Sequence, residues 1–592
     1  MIGLRPATPA DAELLFEWVN SPSSLAGKLK TNGQIKWDDH RRWLTQRLND
    51  PGTSIWIALD DATVVGQVRF QRVKEAGESF YDVDVFVPDR ERGRGRAKAM
   101  LSAAARELAG REPRARLRAL VRKENSASQR LFQSLGYRLM ANQQDRMVYV
   151  GDASRFNARI VPSRSFAKSN DLYERALKTV PLATQTFSKS AMNFVKGASP
   201  LFLDRGKGCK VWDVDGNSYI DFILGLLPVL LGYRDEDVDR AIIAQLERGI
   251  SFSLATDLEA EVSEQLVRLI PSAEMVRFGK NGSDATTAAI RLARAITGRD
   301  LIAICGYHGW HDWYIGTTTR DLGVPKAVRE LSKTFDYNDA ASLERVLSAD
   351  PGKFAAIILE PAGVTEPKGT FLRDVRDLAT RHGALLVFDE IITGFRAALG
   401  GAQAVYGITP DLSCFGKAMA NGMPISAIVG LKRHMKVMED IFFSGTFGGE
   451  ALSLAAARAT IAKSERLEVP ERLALLGKRL MAAATETIDR CGLSAQIGIG
   501  GAAWWPRVVL KSGSPADKVV LTSLIRQEAA AHGLLMGAAF NLCLAHDDPQ
   551  VFEQILARWQ GTMVAVAEAV DSRDPASRLR GEAVQPVFKV RN

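Results

Sequence analysis

The chain has its most apolar strand pattern in Ala384-Leu385-Leu386-Val387-Phe388-Asp389-Glu390, which ends abruptly in two carboxylates. Two similar apolar runs precede it, Leu301–Ile304 and Ala355–Leu359, and longer helical segments alternate with these runs. Near-continuous apolar strands separated by helices indicate a parallel sheet that is covered on both faces. A carboxylate at the carboxyl end of such a strand, here Asp389, is predicted to face a ligand crevice.

Length and composition are those of an ordinary globular protein. The 592 residues predict several folding units, about three to five by domain-size priors. Apolar residues make up 46% and charged residues 24%, which excludes a disordered chain, collagen and a disulfide-stapled miniprotein. The five cysteines are scattered and never form a C-x-x-C pair. We therefore expect reduced thiols, a cytoplasmic location and no metal site.

Neither a membrane anchor nor a secretion signal is predicted. The longest apolar run, Phe222–Tyr233, contains Pro228 and is far shorter than the ~20 residues of a spanning helix. The N-terminus lacks the basic start and apolar stretch of a secretory signal. We expect no membrane partner.

Two unlike parts follow one another along the chain. Residues 1–150 combine amphipathic helices with alternating strands and are predicted to form one domain. Residues 151–168 are polar, basic and aperiodic, and are predicted to be a linker. Residues 169–592 contain the apolar strands and helices of the predicted parallel sheet. The predicted fold class of the whole chain is therefore α/β.

The net charge of +9 is concentrated locally, because ten arginines and two lysines lie between Arg90 and Lys123. Such a concentration is compatible with nucleic acid, with an anionic cofactor, or with a solvated face.

A glycine-rich turn, Arg90-Glu91-Arg92-Gly93-Arg94-Gly95-Arg96, follows the predicted strand Tyr81–Val87. At a strand-to-helix turn this pattern lets backbone N–H groups approach a pyrophosphate, and the helix dipole favours the anion. Further along, Asn125–Tyr137 reads N-x-x-S-x-x-L-F-x-x-L-G-Y. Together these motifs resemble the GNAT acetyltransferase superfamily, over essentially all of residues 1–150, and imply a mixed sheet with helices.

The GNAT resemblance implies an acetyl-CoA site. The residues it implies are the pyrophosphate loop Arg92, Gly93, Arg94, Gly95 and Arg96, the strand residues Val85 and Val87 beside the pantetheine arm, and Asn125 and Ser128 near that arm. One position departs from the family pattern, because Phe132 replaces the tyrosine that many members use as general acid. Another group, a water molecule or Tyr137 must then protonate the leaving thiolate, or the activity is lost.

Asp82 and Asp84 lie on one face of the motif strand and are candidates to deprotonate an attacking amine, directly or through water. They equally suit a solvated strand face. The opening segments, 14–22 and 40–44, resemble the sugar-nucleotide branch of the superfamily, in particular the N-acetyltransferases of pseudaminic acid biosynthesis. Their Trp and Arg residues suit sugar stacking and phosphate pairing, although Trp18 also suits a helical core.

Four separated segments of the C-terminal part suggest one cofactor site. Asn281-Gly282-Ser283 opens a helix and offers backbone N–H groups and a hydroxyl to a phosphate. Tyr307-His308 follows a buried strand and places an aromatic ring where a planar cofactor stacks. Asp389 ends the most apolar strand, and Lys417 follows Cys414-Phe415-Gly416.

This ordered set resembles the class III aminotransferases, the PLP-dependent group that includes glutamate-1-semialdehyde aminomutase. The resemblance implies a fold-type I PLP-transferase with a large, mostly parallel domain and a small α+β domain. It implies that Lys417 holds PLP covalently and moves the substrate proton, that Asp389 keeps the pyridine nitrogen protonated, and that Tyr307 stacks on the ring. Thr446, in Ser444-Gly445-Thr446-Phe447, is implied to reach the phosphate in the partner subunit of an obligate homodimer.

The sequence departs from the aminomutase where that enzyme reads its substrate. Residues 186–191 contain no arginine for the substrate carboxylate, and Gly225-Leu226-Leu227-Pro228 replaces S-W-G-P. The arginine that would bind the substrate carboxylate through two hydrogen bonds is missing, and so is the tryptophan ring of S-W-G-P. Both losses argue against glutamate semialdehyde as substrate. Similar stretches occur in relatives that aminate sugars of bacterial surface glycans.

The fusion suggests consecutive reactions, because an aminotransferase makes the primary amine that a GNAT domain of the sugar branch consumes. We expect transamination of a keto- or aldehydo-sugar or nucleotide sugar, then N-acetylation with acetyl-CoA. Three alternatives stay open: an aminomutase with an accessory GNAT domain, a GNAT domain that acetylates an unrelated protein or antibiotic, and a nucleic-acid surface between Arg90 and Lys123. CoA already accounts for those arginines, so no nucleic-acid partner is expected.

Overall fold

A computed structural model describes residues 2–27, 33–60, 63–75, 77–112, 115–153, 164–363, 365–572 and 574–585. The chain divides into two compact units, Met1–Ser163 and Arg164–Asn592. The central part of the predicted linker, residues 154–163, lies outside the described residues. At its two ends, Gly151 and Asp152 complete a strand, and Ala167 and Lys168 begin a helix.

The N-terminal unit is built on a seven-stranded mixed sheet with the order β1-β2-β3-β4-β5-β7-β6. The strands are β1 (Ile2–Pro6), β2 (Thr53–Asp60), β3 (Thr63–Glu75), β4 (Glu78–Phe86), β5 (Arg116–Arg122), β6 (Arg138–Asn142) and β7 (Arg146–Asp152). Its described helices are Ala12–Val19, Pro22–Gly27, Trp37–Leu48, Arg96–Arg111 and Ser126–Ser134. All neighbouring strands are antiparallel except β4 and β5, which are parallel.

The parallel pair β4–β5 separates partway along its length. Paired residues are Tyr81 with Leu117 and Asp82 with Arg118, whereas β4 continues to Phe86. On its other side, β4 stays paired with β3 from end to end. Residues 83–86 therefore present one backbone edge without a strand partner, which suits hydrogen bonding by an extended ligand.

The C-terminal unit contains the predicted parallel sheet, and that prediction is confirmed. Seven strands have the order β11-β17-β16-β15-β14-β12-β13, and only β17 runs antiparallel to its neighbours. They are β11 (Met275–Gly279), β12 (Leu301–Cys305), β13 (Ser332–Thr334), β14 (Phe354–Leu359), β15 (Leu385–Asp389), β16 (Leu412–Phe415) and β17 (Ser426–Gly430).

The large sheet is buried on both faces, which explains why its strands lack polar alternation. In β15, Leu386 and Phe388 pack on one face with Leu378, while Val387 packs on the other face with Ala288 of helix Gly282–Thr297. Both faces of the strand thus contact apolar cores, as expected for a sheet covered by helices on each side.

Smaller sheets complete the unit. They are a four-stranded sheet of β8 (Leu203–Lys207), β9 (Lys210–Asp213), β10 (Ser218–Asp221) and β20 (Leu534–Leu535), and a hairpin of β18 (Ile497–Gly500) and β19 (Arg507–Leu510). The helices of this unit are Ala167–Leu177, Glu236–Leu246, Asp257–Leu269, Gly282–Thr297, Asp312–Ile315, Lys326–Glu330, Ala340–Ala349, Phe371–His382, Ala402–Tyr406, Lys432–Met435, Ala451–Arg466, Val469–Arg490, Pro515–Ala531 and Pro549–Val570. None of the helices in the described ranges has the length and apolar character needed to cross a bilayer.

Candidate active sites

The predicted cofactor residues of the C-terminal unit follow the carboxyl ends of adjacent strands. Tyr307 and His308 come after β12, Asp389 ends β15, and Lys417 comes after β16. Because β12, β14, β15 and β16 are parallel neighbours, these ends meet at one edge of the sheet. The topology therefore brings together segments that are more than a hundred residues apart in sequence.

Asp389 and His308 form a buried pair. Nδ1 of His308 lies 2.8 Å from Oδ2 of Asp389, and its Nε2 lies 3.1 Å from the carbonyl oxygen of Cys305. A carbonyl oxygen only accepts, so Nε2 is the protonated donor of that contact. The backbone N–H of Ile391 donates to the other carboxylate oxygen of Asp389, at 3.1 Å. Both oxygens are thus held in place, and the carboxylate keeps a fixed orientation.

Lys417 is a partly buried lysine on a strained backbone. Its φ of 40° is in the left-handed region, which costs a side-chain-bearing residue about 1–2 kcal/mol. Burial lowers the pKa of its ammonium group, against the opposing charges of Glu360 and Asp389. The site therefore favours the neutral amine, which is the nucleophilic form.

The start of helix Gly282–Thr297 adjoins the Tyr307–Trp310 loop. The Ser283 hydroxyl accepts a hydrogen bond from the backbone N–H of Trp310 at 3.3 Å. At Gly309, φ is 109°, and a Cβ would lie 2.2 Å from that hydroxyl oxygen, so only glycine fits there. Asn281 caps the helix in a capping box with Asp284. Ser283 thus lies against the loop that carries the half-exposed Tyr307 ring and the buried His308.

These residues fit PLP by the chemistry of their groups. Ser283 and the helix N-terminus suit its phosphate, Asp389 suits a protonated pyridine nitrogen, and Lys417 suits its carbonyl carbon. When bound, PLP supplies an electron sink for the carbon that loses its proton. The chain's own groups would bind and orient the ring, and the Lys417 amine would hold the proton that is moved.

Two acidic residues near the site were not predicted. Glu360 follows β14 as Asp389 ends β15, and its Oε2 accepts the Tyr307 backbone N–H at 3.2 Å. Burial and the nearby Asp389 charge raise the pKa of Glu360. A carboxylate at the end of an apolar strand was the signal that indicated Asp389. The run Ala355–Leu359 is followed by Glu360 in the same way, so the sequence did contain a signal for Glu360. Glu390 instead has a structural role, since it accepts the backbone N–H groups of Ala402 and Gln403 at 2.7 and 2.9 Å.

Thr446 lies on an exposed turn, in which the Gly448 N–H donates to the Gly445 carbonyl oxygen at 3.0 Å. Two large apolar side chains near it, Phe442 and Phe447, are 84% and 58% exposed. An apolar surface of this kind around a predicted phosphate ligand suits contact with a second subunit.

The predicted pyrophosphate loop of the N-terminal unit begins the helix Arg96–Arg111. Gly93 and Gly95 have φ of 76° and 72°, and the space that a Cβ would occupy at each is open. The loop arginines are already paired: Arg92 with Asp89 at 2.9 Å, Arg94 with Glu91 at 3.7 Å, and Arg96 with Asp60. If this loop holds the pyrophosphate as predicted, its backbone N–H groups and the helix N-terminus would be the principal elements that bind the anion.

Val85 and Val87, the two residues predicted to contact the pantetheine arm, differ in their position relative to strand β4. Val85 lies in the part of β4 that does not pair with β5, so its predicted contact with the pantetheine arm stays a prediction. The prediction of Val87 as a strand residue is wrong, because β4 ends at Phe86, before Val87-Pro88. The carbonyl oxygen of Val87 also accepts Nε of Arg92 at 3.1 Å. That carbonyl is therefore occupied by the loop.

The second motif forms the helix Ser126–Ser134. The Asn125 side chain accepts the Ser128 backbone N–H at 3.0 Å and thus caps this helix. Phe132 is buried and packs edge-on against Tyr137, with ring centroids 5.1 Å apart. Burial raises the pKa of the Tyr137 phenol. The structure thus places Tyr137 in the core of the unit, which argues against it as the proton donor.

The two candidate bases have different surroundings. Asp82 forms two hydrogen bonds with Arg118: Nε and Nη2 of the arginine donate to the two carboxylate oxygens of Asp82 at 2.7 and 3.2 Å. Asp84 lies beyond the separation of β4 and β5, 2.9 Å from Arg69, and its side chain is 47% exposed. Arg69 in turn lies over the ring of Trp43, 5.1 Å from its centroid. Asp84 is therefore the more accessible carboxylate.

Trp18, which suited either a sugar or a core, is buried. It packs with Leu15 and Leu44 and lies 5.3 Å from the Phe86 ring. The core interpretation of this residue is therefore the one that the structure favours.

Comparisons with known proteins agree with this division of the chain. The sequence profile of class-III aminotransferases matches residues 192–493, and that of the GNAT acetyltransferase domain matches residues 2–138. A 3-aminobutyryl-CoA aminotransferase of Cloacimonas acidaminovorans is 39% identical over 392 residues, which cover 64% of this chain and 93% of that protein. A glutamate-1-semialdehyde 2,1-aminomutase of Roseiflexus castenholzii is 35% identical over 64% of this chain and 92% of that protein.

Solved structures resemble the C-terminal part of the chain. The PLP-containing FumI protein of Sphingopyxis sp. MTA144 is 30% identical, with a TM-score of 0.65, over 70% of this chain and all (100%) of that one. An omega-transaminase of Sphaerobacter thermophilus is 26% identical, with a TM-score of 0.62, over 68% of this chain and 98% of that one.

Proposed function

The chain belongs to the class-III aminotransferase family and carries an N-terminal GNAT acetyltransferase domain, and we propose that the two domains catalyse consecutive reactions on one amine. Class-III aminotransferases use PLP, and GNAT enzymes use acetyl-CoA. In the proposed sequence, the C-terminal site converts a keto- or aldehydo-sugar, free or nucleotide-linked, to an amine. The N-terminal site then transfers the acetyl group of acetyl-CoA to that amine.

The observation that carries the proposal is the combination of the two sites in one chain. The C-terminal site joins a partly buried amine on Lys417, whose pKa is lowered by desolvation, to an oriented carboxylate on Asp389. The N-terminal site joins an open strand edge to a glycine-rich helix start at Gly95. The first arrangement suits formation of a primary amine, and the second suits consumption of one.

The sugar is proposed from the features near the substrate side of each site. At residues 186–191, where the aminomutase has its carboxylate-binding arginine, Phe187 is 41% exposed. The stretch 225–228 forms a turn in which Leu226 and Leu227 both have φ of 79°. In the N-terminal unit, Trp43 and Arg69 stand beside Asp84, a pairing of ring and cation that suits a sugar and its phosphate.

A second candidate function is favoured by the aminotransferase relatives. Several are glutamate-1-semialdehyde 2,1-aminomutases, which makes an aminomutase with an accessory GNAT domain the alternative. The two functions differ in their need for an amino donor. Incubation with glutamate, acetyl-CoA and candidate keto-sugars should give an aminated, acetylated product, whereas isomerisation of glutamate-1-semialdehyde without any donor would support the alternative.

We also propose that the protein is cytoplasmic and that it has no nucleic-acid partner. The five cysteines are free and buried, which supports a reducing cytoplasm. Arg92, Arg94 and Arg96 are each paired with a carboxylate of the chain. These ion pairs favour the interpretation of the segment as a CoA-binding loop and disfavour its interpretation as a nucleic-acid surface.

The proposed homodimer predicts complementation, at a limiting PLP concentration, between a variant that binds PLP weakly and a variant that is inactive. T446A should weaken PLP binding by about 10-fold, since it removes one hydrogen bond to a charged phosphate. K417A should be inactive in amino transfer. Mixing and refolding the two variants should restore activity, because a mixed dimer contains one site with Lys417 from one chain and Thr446 from the other. No recovery above the sum of the separate variants would contradict shared sites.

The accessibility of Asp84 predicts unequal effects of two matched substitutions on acetyl transfer. D84N should lower kcat by about 10²-fold or more, as expected for loss of a general base. D82N should lower kcat less, because Asp82 is held by Arg118 within the paired part of the sheet. Steady-state kinetics with acetyl-CoA and an amino-sugar compare them. Equal kcat values for D84N and the wild type would remove Asp84 from the proposed role.

A further inference from the structure

The side chain of one half-buried arginine of the C-terminal unit, Arg507, has neither a hydrogen-bond nor an ion-pair partner among the residues that the structure describes. Arg507 begins β19, and the turn 501–506 joins it to β18. Gly501 has φ of 83°, and a Cβ there would lie 2.8 Å from the Trp505 carbonyl oxygen and 3.2 Å from Cγ of Arg507. The turn thus folds tightly over the base of the Arg507 side chain.

Trp505 gives the guanidinium group a fixed platform. Cζ of Arg507 lies 4.7 Å from the centroid of the Trp505 ring. The indole Nε1 donates to Oδ1 of Asn541 at 2.7 Å, and Nδ2 of Asn541 donates to the carbonyl oxygen of Ile223 at 3.0 Å. A guanidinium group stacked on a held ring keeps its N–H edges free for a ligand.

Several contacts place this pair beside the aminotransferase site. Trp505 packs in a buried cluster with Leu227 and Ala362. Ala362 is two residues beyond Glu360, whose carboxyl accepts the Tyr307 N–H. The charge of Glu360 acts on both Lys417 and Arg507. Arg507 therefore lies within electrostatic reach of the carboxyl that adjoins the reacting amine.

Two other arginines of this unit do have hydrogen-bond partners. Arg396, which is fully buried, donates to the carbonyl oxygens of Leu227 and Leu542 at 2.9 and 2.5 Å. Arg376 donates to Asp411 at 2.8 Å. Burial lowers the pKa of Arg507, with Glu360 opposing that effect. A partly desolvated guanidinium group with unused donors is a costly arrangement that an oxyanion relieves.

We propose that Arg507, held on Trp505, binds a carboxylate or phosphate group of the carbonyl substrate during amination. The inference rests on the proposed function for the carbonyl substrate, and it adds that this substrate is anionic. A sugar acid would supply the carboxylate, and a sugar phosphate or nucleotide sugar would supply the phosphate; both present oxygens that a guanidinium group binds in a bidentate manner.

Titration calorimetry on the PLP-loaded enzyme tests the subsite directly, with succinate and inorganic phosphate as probes. The wild type should bind at least one of them, and R507M should bind it about 10- to 100-fold more weakly, with R507K between the two. R458M is the matched control, because Arg458 is an exposed arginine paired with Glu261. If the wild type binds neither probe, or R507M binds them as the wild type does, the proposal is wrong. R507K gives the same test if R507M does not fold with PLP.

Matched amino acceptors then separate the subsite from the proposed function and distinguish the two anions. Succinic semialdehyde is compared with butanal, and glyceraldehyde 3-phosphate with glyceraldehyde. R507M should raise KM by about 10-fold or more for the anionic member of one pair only, and should leave the neutral members unchanged. An equal rise for anionic and neutral members would overturn the subsite. Failure to aminate any keto-sugar, with R507-dependent anion binding intact, would instead overturn the sugar assignment alone.

Discussion

K417A should lower the rate of amino transfer by about 10³-fold or more, the largest effect expected of any single substitution in this chain. Lys417 is a partly buried amine close to the charges of Asp389 and Glu360, and desolvation favours its neutral form. In the role proposed for Lys417, its removal would eliminate both the covalent attachment of PLP and the group that moves the substrate proton. Stopped-flow measurement of the half-reaction with the amino donor, followed by the absorbance of PLP, gives the rate.

The acetyltransferase domain supplies the control for K417A. Acetylation of an added amino-sugar should proceed in K417A at the wild-type rate, because Lys417 and the acetyl-CoA loop belong to different compact units. Amino transfer by K417A within about 10-fold of the wild-type rate would contradict the assignment of Lys417, since loss of a proton-transferring group costs more than that.

D389N should lower amino transfer by about 10²- to 10³-fold, the second largest effect expected. The substitution keeps the size of the side chain but removes the negative charge that would stabilise a protonated pyridine nitrogen. The substitution also replaces a carboxylate oxygen, which accepts hydrogen bonds, by an amide NH2 group, which donates them. The 2.8 Å contact of residue 389 with Nδ1 of His308, whose Nε2 donates to the Cys305 carbonyl oxygen, would then rearrange. Single-turnover rates with the amino donor measure the effect.

H308Q is the informative companion to D389N. His308 contacts Asp389 and would act on the cofactor through that carboxylate, so we expect H308Q to reduce the rate less than D389N and to retain PLP. If H308Q and D389N had equal effects, the charge of Asp389 would not be the main contribution of this pair. A wild-type rate in D389N would exclude the proposed role of the carboxylate.

Much of the large sheet could be predicted because its signal is local. The run Ala384–Phe388 is apolar at every position, and only a strand buried on both faces tolerates that pattern. Asp389 was indicated by its place at the end of such a strand, whereas Lys417 was indicated by its motif and by the family resemblance. The contact of His308 with Asp389 could not be predicted, because it depends on the order of β12, β14 and β15 in the sheet, which no local pattern specifies.

The N-terminal site shows a similar limit. The glycine-rich loop is a local motif, and its left-handed Gly93 and Gly95 follow from it. The ion pairs that occupy Arg96, Asp82 and Asp84 join residues from different strands and helices, so their partners Asp60, Arg118 and Arg69 carried no sequence signal. The platform of Trp505 under Arg507 depends likewise on a turn geometry and on Asn541, 36 residues away in the chain.

Product labelling tests the coupling of the two sites most directly. The enzyme is incubated with a keto-sugar, glutamate labelled with heavy nitrogen and acetyl-CoA labelled with heavy carbon in the acetyl group, and the products are analysed by mass spectrometry. We predict one amino-sugar product that carries both labels, and neither label in the product of K417A. An amine that carries the nitrogen label but is never acetylated, or acetyl transfer confined to unrelated amines, would contradict the account.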